Sequence, residues 1–373
     1  MAETFDVVVI GAGMAGASLA AHLSADLKVA LVEREDQPGR HSTGRSAALY
    51  SETYGVKAVR AVSSASRAFF ENPPEGFTDT PLISPRGALH VAREDQIEAL
   101  QAFYAAPDVA AVSQWLDEAE ARRLCPIFRE DQLVAGVYEP GVQDLDVNAL
   151  HQGYLRMFRR NGGELILDAE LVALSRSGDG WNLRTPVGEF SAAIVVNAAG
   201  AWADTVAVLA GVKPIGLEPR RRTALLVEPP SGVDAGAWPA AMDVGEQFYF
   251  KPDAGLLLLS PADETPCAPC DVQPEELDVA IAIDRVQQAT HLDVRRIRSR
   301  WAGLRTFAPD RTPVAGYDRD MPGFFWLAGQ GGYGIQTAPA LSRLAAALVR
   351  RDSPPTDIVA AGVNIADFSP TRF

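Results

Sequence analysis

The sequence predicts an α/β fold of two interleaved domains, one a Rossmann-like dinucleotide-binding domain and the other rich in β-sheet. Three observations carry this expectation. Residues 5–34 read as strand, glycine turn, helix and strand, a parallel βαβ unit. Near the other end, Phe324–Ala328 leads through a second glycine-rich turn at 329–334 into a helical segment, Ala338–Arg350. Between these lie strand-like stretches, interrupted by the small-residue segment 192–204. At 373 residues the chain is also long for one core.

The first unit opens on the apolar run Val7 to Ile10, too short for a helix of its own. Gly11, Gly13 and Gly16 follow in the spacing G-x-G-x-x-G, then good helix formers through Leu23. A second apolar run, Val29–Val32, ends in Glu33. In such a unit the first glycine allows the sharp turn, the second lets the backbone approach a pyrophosphate, and the third lets the helix pack close. Phosphates then sit at the positive end of the helix dipole. An acid about 20 residues beyond the first glycine suits a ribose hydroxyl pair. Glu33 therefore disfavours a 2′-phosphate, and so NADP, without separating FAD from NAD.

Residues 34–55 are rich in Gly, Ser, Thr and Arg and read as a loop able to run beside a cofactor. Helical spacing resumes at 56–70 and is broken by prolines from Pro73 onward. Residues 83–93 suggest a hairpin turning at Pro85-Arg86-Gly87, followed by short amphipathic helices at 95–104 and 117–124 and a strand at 134–138. Residues 146–160 form a helix with an acid at its start, two arginines in its last turn and a glycine stop. Residues 164–189 alternate like an antiparallel meander. The segment 192–204 is a buried strand running into a turn small enough for close ligand approach. Strands return over 214–250, a helix over 275–292, and a strand ending in an arginine over 300–307. The domains expected are 1–84, 145–213 and 300–373 for the nucleotide, and 85–144 and 214–299 for the substrate.

Composition narrows the function. A net charge of −14 argues against nucleic acid or an anionic membrane surface as partner, and Arg220 to Arg222 is the only basic triplet. No apolar run reaches the ~18 residues of a membrane helix. The N-terminus lacks the basic start of a signal peptide, so the expected location is cytoplasmic or peripheral to a membrane. Cys125, Cys267 and Cys270 imply no disulfide framework. Cys267 and Cys270 have C-x-x-C spacing without a second ligand pair, and free surface thiols are expected. The five histidines form no obvious metal or triad pattern.

At GAGMAGAS, HSTGRSAALY, ALHQGYLR, VNAAGAWAD, FYFKPDAG, WAGLRTF and GQGGYGIQT the chain resembles the D-amino acid oxidase/dehydrogenase superfamily of FAD enzymes. The likeness spans essentially the whole length and looks closest to bacterial D-arginine dehydrogenases. It implies non-covalent FAD, with Gly11, Gly13, Ala15, Gly16, Glu33 and Arg34 around the ADP half. Ser42, Thr43, Ser46, Ala47 and Ala48 would follow the diphosphate and isoalloxazine. Val172, Ala199, Gly200, Trp202 and Gly303 would continue that wall. Gly331, Gly332, Tyr333, Gly334, Ile335 and Gln336 would lie at the pyrimidine end. The resemblance assigns Arg222, Tyr249 and Arg305 to the substrate carboxylate, Gly332 to its amine, and Tyr54 to the tip of a lid.

The carboxylate assignment agrees with chemistry, since a planar guanidinium binds a carboxylate in two places. Two positions depart from the D-arginine pattern. Leu49 replaces a histidine, and Ala88 replaces a glutamate that binds the cationic side chain. Neither can compensate a cation out of water. The expected reaction is therefore oxidative deamination of D-amino acids with apolar or neutral side chains. Hydride would pass from Cα to flavin N5, and O2 or a quinone would accept the electrons. The rivals are a sarcosine- or proline-type secondary-amine oxidase, a 2-hydroxy acid dehydrogenase, and a non-catalytic nucleotide-binding protein.

Overall fold

The computed structural model describes residues 3–373. Strand Glu3–Ile10 runs parallel to Val29–Val32 on one side and to Gly188–Asn197 on the other. Glu164–Ile166 extends the parallel sheet past Val29–Val32, and Phe324–Ala328 extends it past Gly188–Asn197. Both faces of this sheet are covered, which explains the unbroken apolar run of its first strand. Val7 and Val9 pack under helices Met14–Leu23, Val147–Arg160 and Ala338–Arg350, alongside Leu19, Tyr154 and Leu344. Val8 and Ile10 face the opposite core, with Trp181, Val206 and Trp326.

The second sheet is larger and mostly antiparallel. From one edge it runs Gln330–Gly331, Ile297–Phe307, Glu218–Val227, Leu256–Ser260, Tyr249–Asp253, Ala240–Asp243, Ala88–Ala92, Ala135–Glu139 and Gln114–Asp117. Helix Glu276–Ala289 closes its outer face over Leu225, Phe250 and Leu257. A three-stranded ribbon, Leu49–Tyr50, Gln143–Leu145 and Ile83–Pro85, stands apart from both sheets.

Three expectations are corrected here. Residues 83–93 are not a hairpin: Ile83–Pro85 pairs with Gln143–Leu145, while Ala88–Ala92 joins the second sheet. Gly87, at φ +72° and with its N–H on the Val142 carbonyl, turns the chain from one to the other. Glu164–Ile166 does not open the meander, because it follows a helix packed on the first sheet and completes a parallel crossover. The boundary at 300 cuts through a strand of the second sheet. Ile297–Phe307 pairs along nearly its whole length with Glu218–Val227, Arg305 opposite Arg220 and Gly303 opposite Arg222.

Candidate active site

A long cleft opens beyond the carboxyl ends of the parallel strands, where ligands of such sheets bind. It runs from Glu33 and Arg34, past the turn at Gly11 and Gly13 and the loop 39–47, to Arg222, Tyr249 and Arg305. The first turn is sterically determined. Gly11 sits at φ +100°, and a Cβ there would lie 2.6 Å from the Ala198 carbonyl oxygen. A Cβ on Gly16 would lie 1.8 Å from the Gly11 oxygen. Gly13, before the helix that begins at Met14, supplies no side-chain cap and no acid stands in the first turn, so apart from the Met14 N–H held by Thr43 its N-terminus is open to an anion.

Glu33 is 8% exposed and lines the cleft. Its Oε2 accepts from Ala12 N at 2.8 Å and its Oε1 from Glu35 N at 3.1 Å. Burial pushes its carboxyl above the usual carboxylate range, against these backbone donors. The loop 39–47 is stitched between the two sheets. Thr43 Oγ1 accepts from Met14 N at 2.9 Å, and Ser42 Oγ donates to the Leu304 carbonyl at 2.6 Å. Arg45 donates to the Val272 and Ala302 carbonyls and pairs with Asp271. The Arg34 guanidinium lies 5.0 Å over the Trp202 ring.

Four buried polar atoms in this wall have no hydrogen-bond partner among the described residues: His41 Nδ1, Arg222 Nε, Thr306 Oγ1 and Gln330 Nε2. Leaving such groups unpaired costs about 1–3 kcal/mol each. A long polar ligand beside them relieves that cost, so the cleft fits a dinucleotide.

At the far end, strand alternation sorts the arginine triplet. Arg221 points to the outer face, where it pairs with Asp278 at 2.9 Å and with Glu275. Arg222 lines the cleft, its side chain 10% exposed, and donates to Glu264 at 3.1 Å. Arg311 donates to both oxygens of the same carboxylate at 2.9 Å. Arg305 differs: it reaches the Tyr54 hydroxyl at 3.3 Å and has no carboxylate within ion-pair distance among the described residues. Tyr54 stands edge-on to Tyr333 at 5.1 Å. A Cβ on Gly332 would lie 3.1 Å from Arg305 Cζ, so the chain passes close over the guanidinium.

Of the other expected residues, Ala15, Ser46, Ala47, Ala199, Gly200, Trp202, Gly303, Gly331, Gly334 and Ile335 also line the cleft. Gly16, Ala48, Tyr333 and Gln336 stand behind its wall. Gln336 is buried, donating to Ser63 Oγ at 2.8 Å and accepting from Ser51 N at 3.2 Å. Val172 is exposed with its N–H on the Arg184 carbonyl, and Leu171 lines the cleft one residue earlier. Leu49 and Ala88 lie outside the lining. Leu49 faces Asp144 in the ribbon, and buried Ala88 faces Glu139 across the second sheet. Glu139 accepts from Thr53 Oγ1 and is hydrogen-bonded to His90 Nε2 at 2.8 Å. His90, on the strand Ala88–Ala92, is thus part of a largely buried network. Cys267 and Cys270 are free thiols with sulfurs 3.8 Å apart. Sequence reasoning missed Glu264, Arg311, Thr306, Gln330 and Arg45. Arg45, Thr306 and Gln330 fall within the motifs HSTGRSAALY, WAGLRTF and GQGGYGIQT, whereas Glu264 and Arg311 carried no signal.

The family model of FAD-dependent oxidoreductases matches residues 6–348. The chain belongs to that family. Its cofactor is FAD, and the cleft described above fits it. Human mitochondrial dimethylglycine dehydrogenase is 24% identical over 95% of the chain, which spans 43% of that longer protein. The chain thus spans less than half of this curated relative. Glycine oxidase from Geobacillus kaustophilus has the same fold at a TM-score of 0.86 and 23% identity, covering 100% of this chain and 99% of its own. L-α-glycerophosphate oxidase from Mycoplasma pneumoniae, solved with FAD bound, follows at 0.84 and 19%, covering 95% and 98%. The narrower likeness to D-arginine dehydrogenases has no counterpart among these three. Among the described residues, no helix is long and apolar enough to cross a membrane.

Proposed function

We propose that the chain oxidises the Cα–N bond of a small amino acid, with D-amino acids of apolar or neutral side chain as its substrates. The observation that carries this reading is Arg305, a guanidinium at the end of the FAD cleft whose one partner among the described residues is a tyrosine hydroxyl. A substrate carboxylate is the group that would complete it, binding in two places. Tyr249 and the remaining donors of Arg222 line the same end and would fix its second oxygen. Pinning the carboxylate orients Cα–H, and orientation is then most of the catalysis. FAD supplies the two-electron acceptor when bound. The substrate loses a hydride from Cα and a proton from its neutral amine, giving an imino acid. Water hydrolyses that to a 2-oxo acid and ammonia. The Gly332 carbonyl is the group assigned to accept from the amine.

Glu139 does not restore a cation site, because it is buried outside the cleft lining and held by Thr53 and His90. A second reading, a glycine or N-methylated amino acid as substrate, is favoured by the names of glycine oxidase and dimethylglycine dehydrogenase. It keeps the carboxylate site and changes only the amine. A panel of D- and L-amino acids, glycine, sarcosine, proline and 2-hydroxy acids tests both. Flavin absorbance near 450 nm is followed without oxygen, and its recovery in air then separates an oxidase from a quinone-linked enzyme. Bleaching by D-leucine or D-methionine ahead of D-arginine is expected. Fastest bleaching by sarcosine or glycine selects the second reading, and bleaching by hydroxy acids alone overturns both.

A further inference from the structure

We propose that Glu264 is a specificity-determining residue that keeps the site selective for substrates carrying a single carboxylate. The inference rests on the amino acid reading above. Glu264 lies in the loop between strands Leu256–Ser260 and Thr265–Pro266, just after Ala262 at φ +54°. Its carboxylate is ringed by guanidinium groups. Arg222 Nη2 is 3.1 Å from Oε1, Arg311 Nη2 is 2.9 Å from both oxygens, and Arg220 Nη1 is 3.7 Å from Oε2. Arg311 is itself held in place, with Cζ 4.0 Å from the centre of the Phe307 ring.

The two arginines facing the substrate end are therefore unequal. Arg305 has no carboxylate within ion-pair distance among the described residues and feels Glu264 only at longer range. Arg222 offers its remaining N–H donors, and its charge is partly offset from behind by Glu264, whose carboxylate it shares with Arg311. A single carboxylate can take its charge partner from Arg305 and a neutral-like donor from Arg222. A second carboxylate directed at Arg222 meets a guanidinium already paired, with a like charge at hydrogen-bonding distance behind it. Like charges at such range, partly shielded from water, disfavour binding strongly. Sequence alone could not show this, because Glu264 is 42 residues from Arg222 and 47 from Arg311.

Propionate and malonate test the idea in the FAD-loaded enzyme, since they share a three-carbon chain and differ by one carboxylate. Their binding is read from the perturbed flavin spectrum at pH 7. The wild type is expected to bind propionate at least tenfold more tightly than malonate. Glu264→Gln keeps an oxygen for Arg222 and removes the charge, and should narrow that ratio at least tenfold by strengthening malonate. Glu264→Asp keeps the charge and should keep the preference. A ratio unchanged in Glu264→Gln, including an equal loss for both ligands, overturns the proposal and leaves the amino acid reading standing. A wild type that binds malonate as tightly as propionate overturns it without any variant. If neither ligand binds the wild type, the carboxylate site itself is wrong, and the proposal falls with it.

Discussion

Replacing Arg305 by methionine separates the carboxylate site from the fold. Among the described residues the guanidinium has one neutral partner, the Tyr54 hydroxyl at 3.3 Å, which is long for a hydrogen bond. No ion pair is broken by the change, so folding stability and FAD content should hardly move. The bound substrate is affected very differently. Its carboxylate would be left with Tyr249 and with Arg222, whose charge Glu264 partly offsets. Truncating one partner of a buried charge pair costs about 2–5 kcal/mol. At 1.36 kcal/mol per tenfold, that is about a 30-fold to about a 5,000-fold loss in kcat/KM. Arg305→Lys should recover little, because an ammonium lacks the planar fork. The assay is kcat/KM on the best amino acid of the panel, with FAD stoichiometry measured on the same samples. A fall of less than about tenfold, or ~1.4 kcal/mol, with FAD retained would refute the carboxylate assignment.

Gly332→Ala tests the same site from the other side. Its Cβ would stand 3.1 Å from Arg305 Cζ and Nη1, so the guanidinium must give by a few tenths of an ångström. A rise in KM of about tenfold is expected with an unchanged melting temperature, and an unchanged KM would show that Arg305 has room to spare. Gly16→Ala forces a Cβ to within 1.8 Å of the Gly11 oxygen, so the turn must open. Loss of bound FAD and a destabilisation of about 3 kcal/mol are expected, and a yellow variant of normal stability counts against the tight-turn argument. His22 has its pKa lowered from 6.5 to about 4, by burial first and then by Arg343 and Arg350. Between those values the unfolded chain takes up a proton that the folded one refuses, so the stability this residue contributes above 6.5 is lost as pH falls toward 4. Urea unfolding at pH 7 and pH 5 should show ~2 kcal/mol less pH-dependent loss in His22→Phe than in the wild type. Parallel losses would mean that His22 is protonated in the fold.

The nucleotide half was legible because its physics is local. Val7 to Ile10, the three glycines and Glu33 fall within one short stretch, and each restricts its neighbours. The helix at Val147–Arg160, with Asp146 accepting from Ala149 N at 2.8 Å, was equally plain from its cap and its spacing. The second sheet was read less well, because short strands show alternation but not partners. Ile83–Pro85 and Ala88–Ala92 look like a hairpin in sequence, yet only tertiary pairing sends them to different sheets. Arg222 could not be told from Arg221 by pattern; that choice came from the family likeness, and the strand's alternation supplies the physical reason. Glu264 and Arg311 were invisible for a different reason. Each is one charged residue in an irregular segment, and its meaning lies in what long-range folding sets beside it.

The strand Phe324–Ala328 has a consequence for how the protein is made. It joins the parallel sheet at Val195 to Asn197, late in the chain, while the phosphate-facing turn is formed by residues 11–16. During synthesis the first βαβ unit therefore emerges long before the sheet that supports it is complete. The loop 39–47 likewise waits for Val272, Ala302 and Leu304 before its anchors exist. Cofactor capture thus waits until the residues through Ala328 have left the ribosome. A chain that has folded this far without FAD keeps an open cleft, and incompletely assembled forms are the ones most exposed to chaperones and proteases.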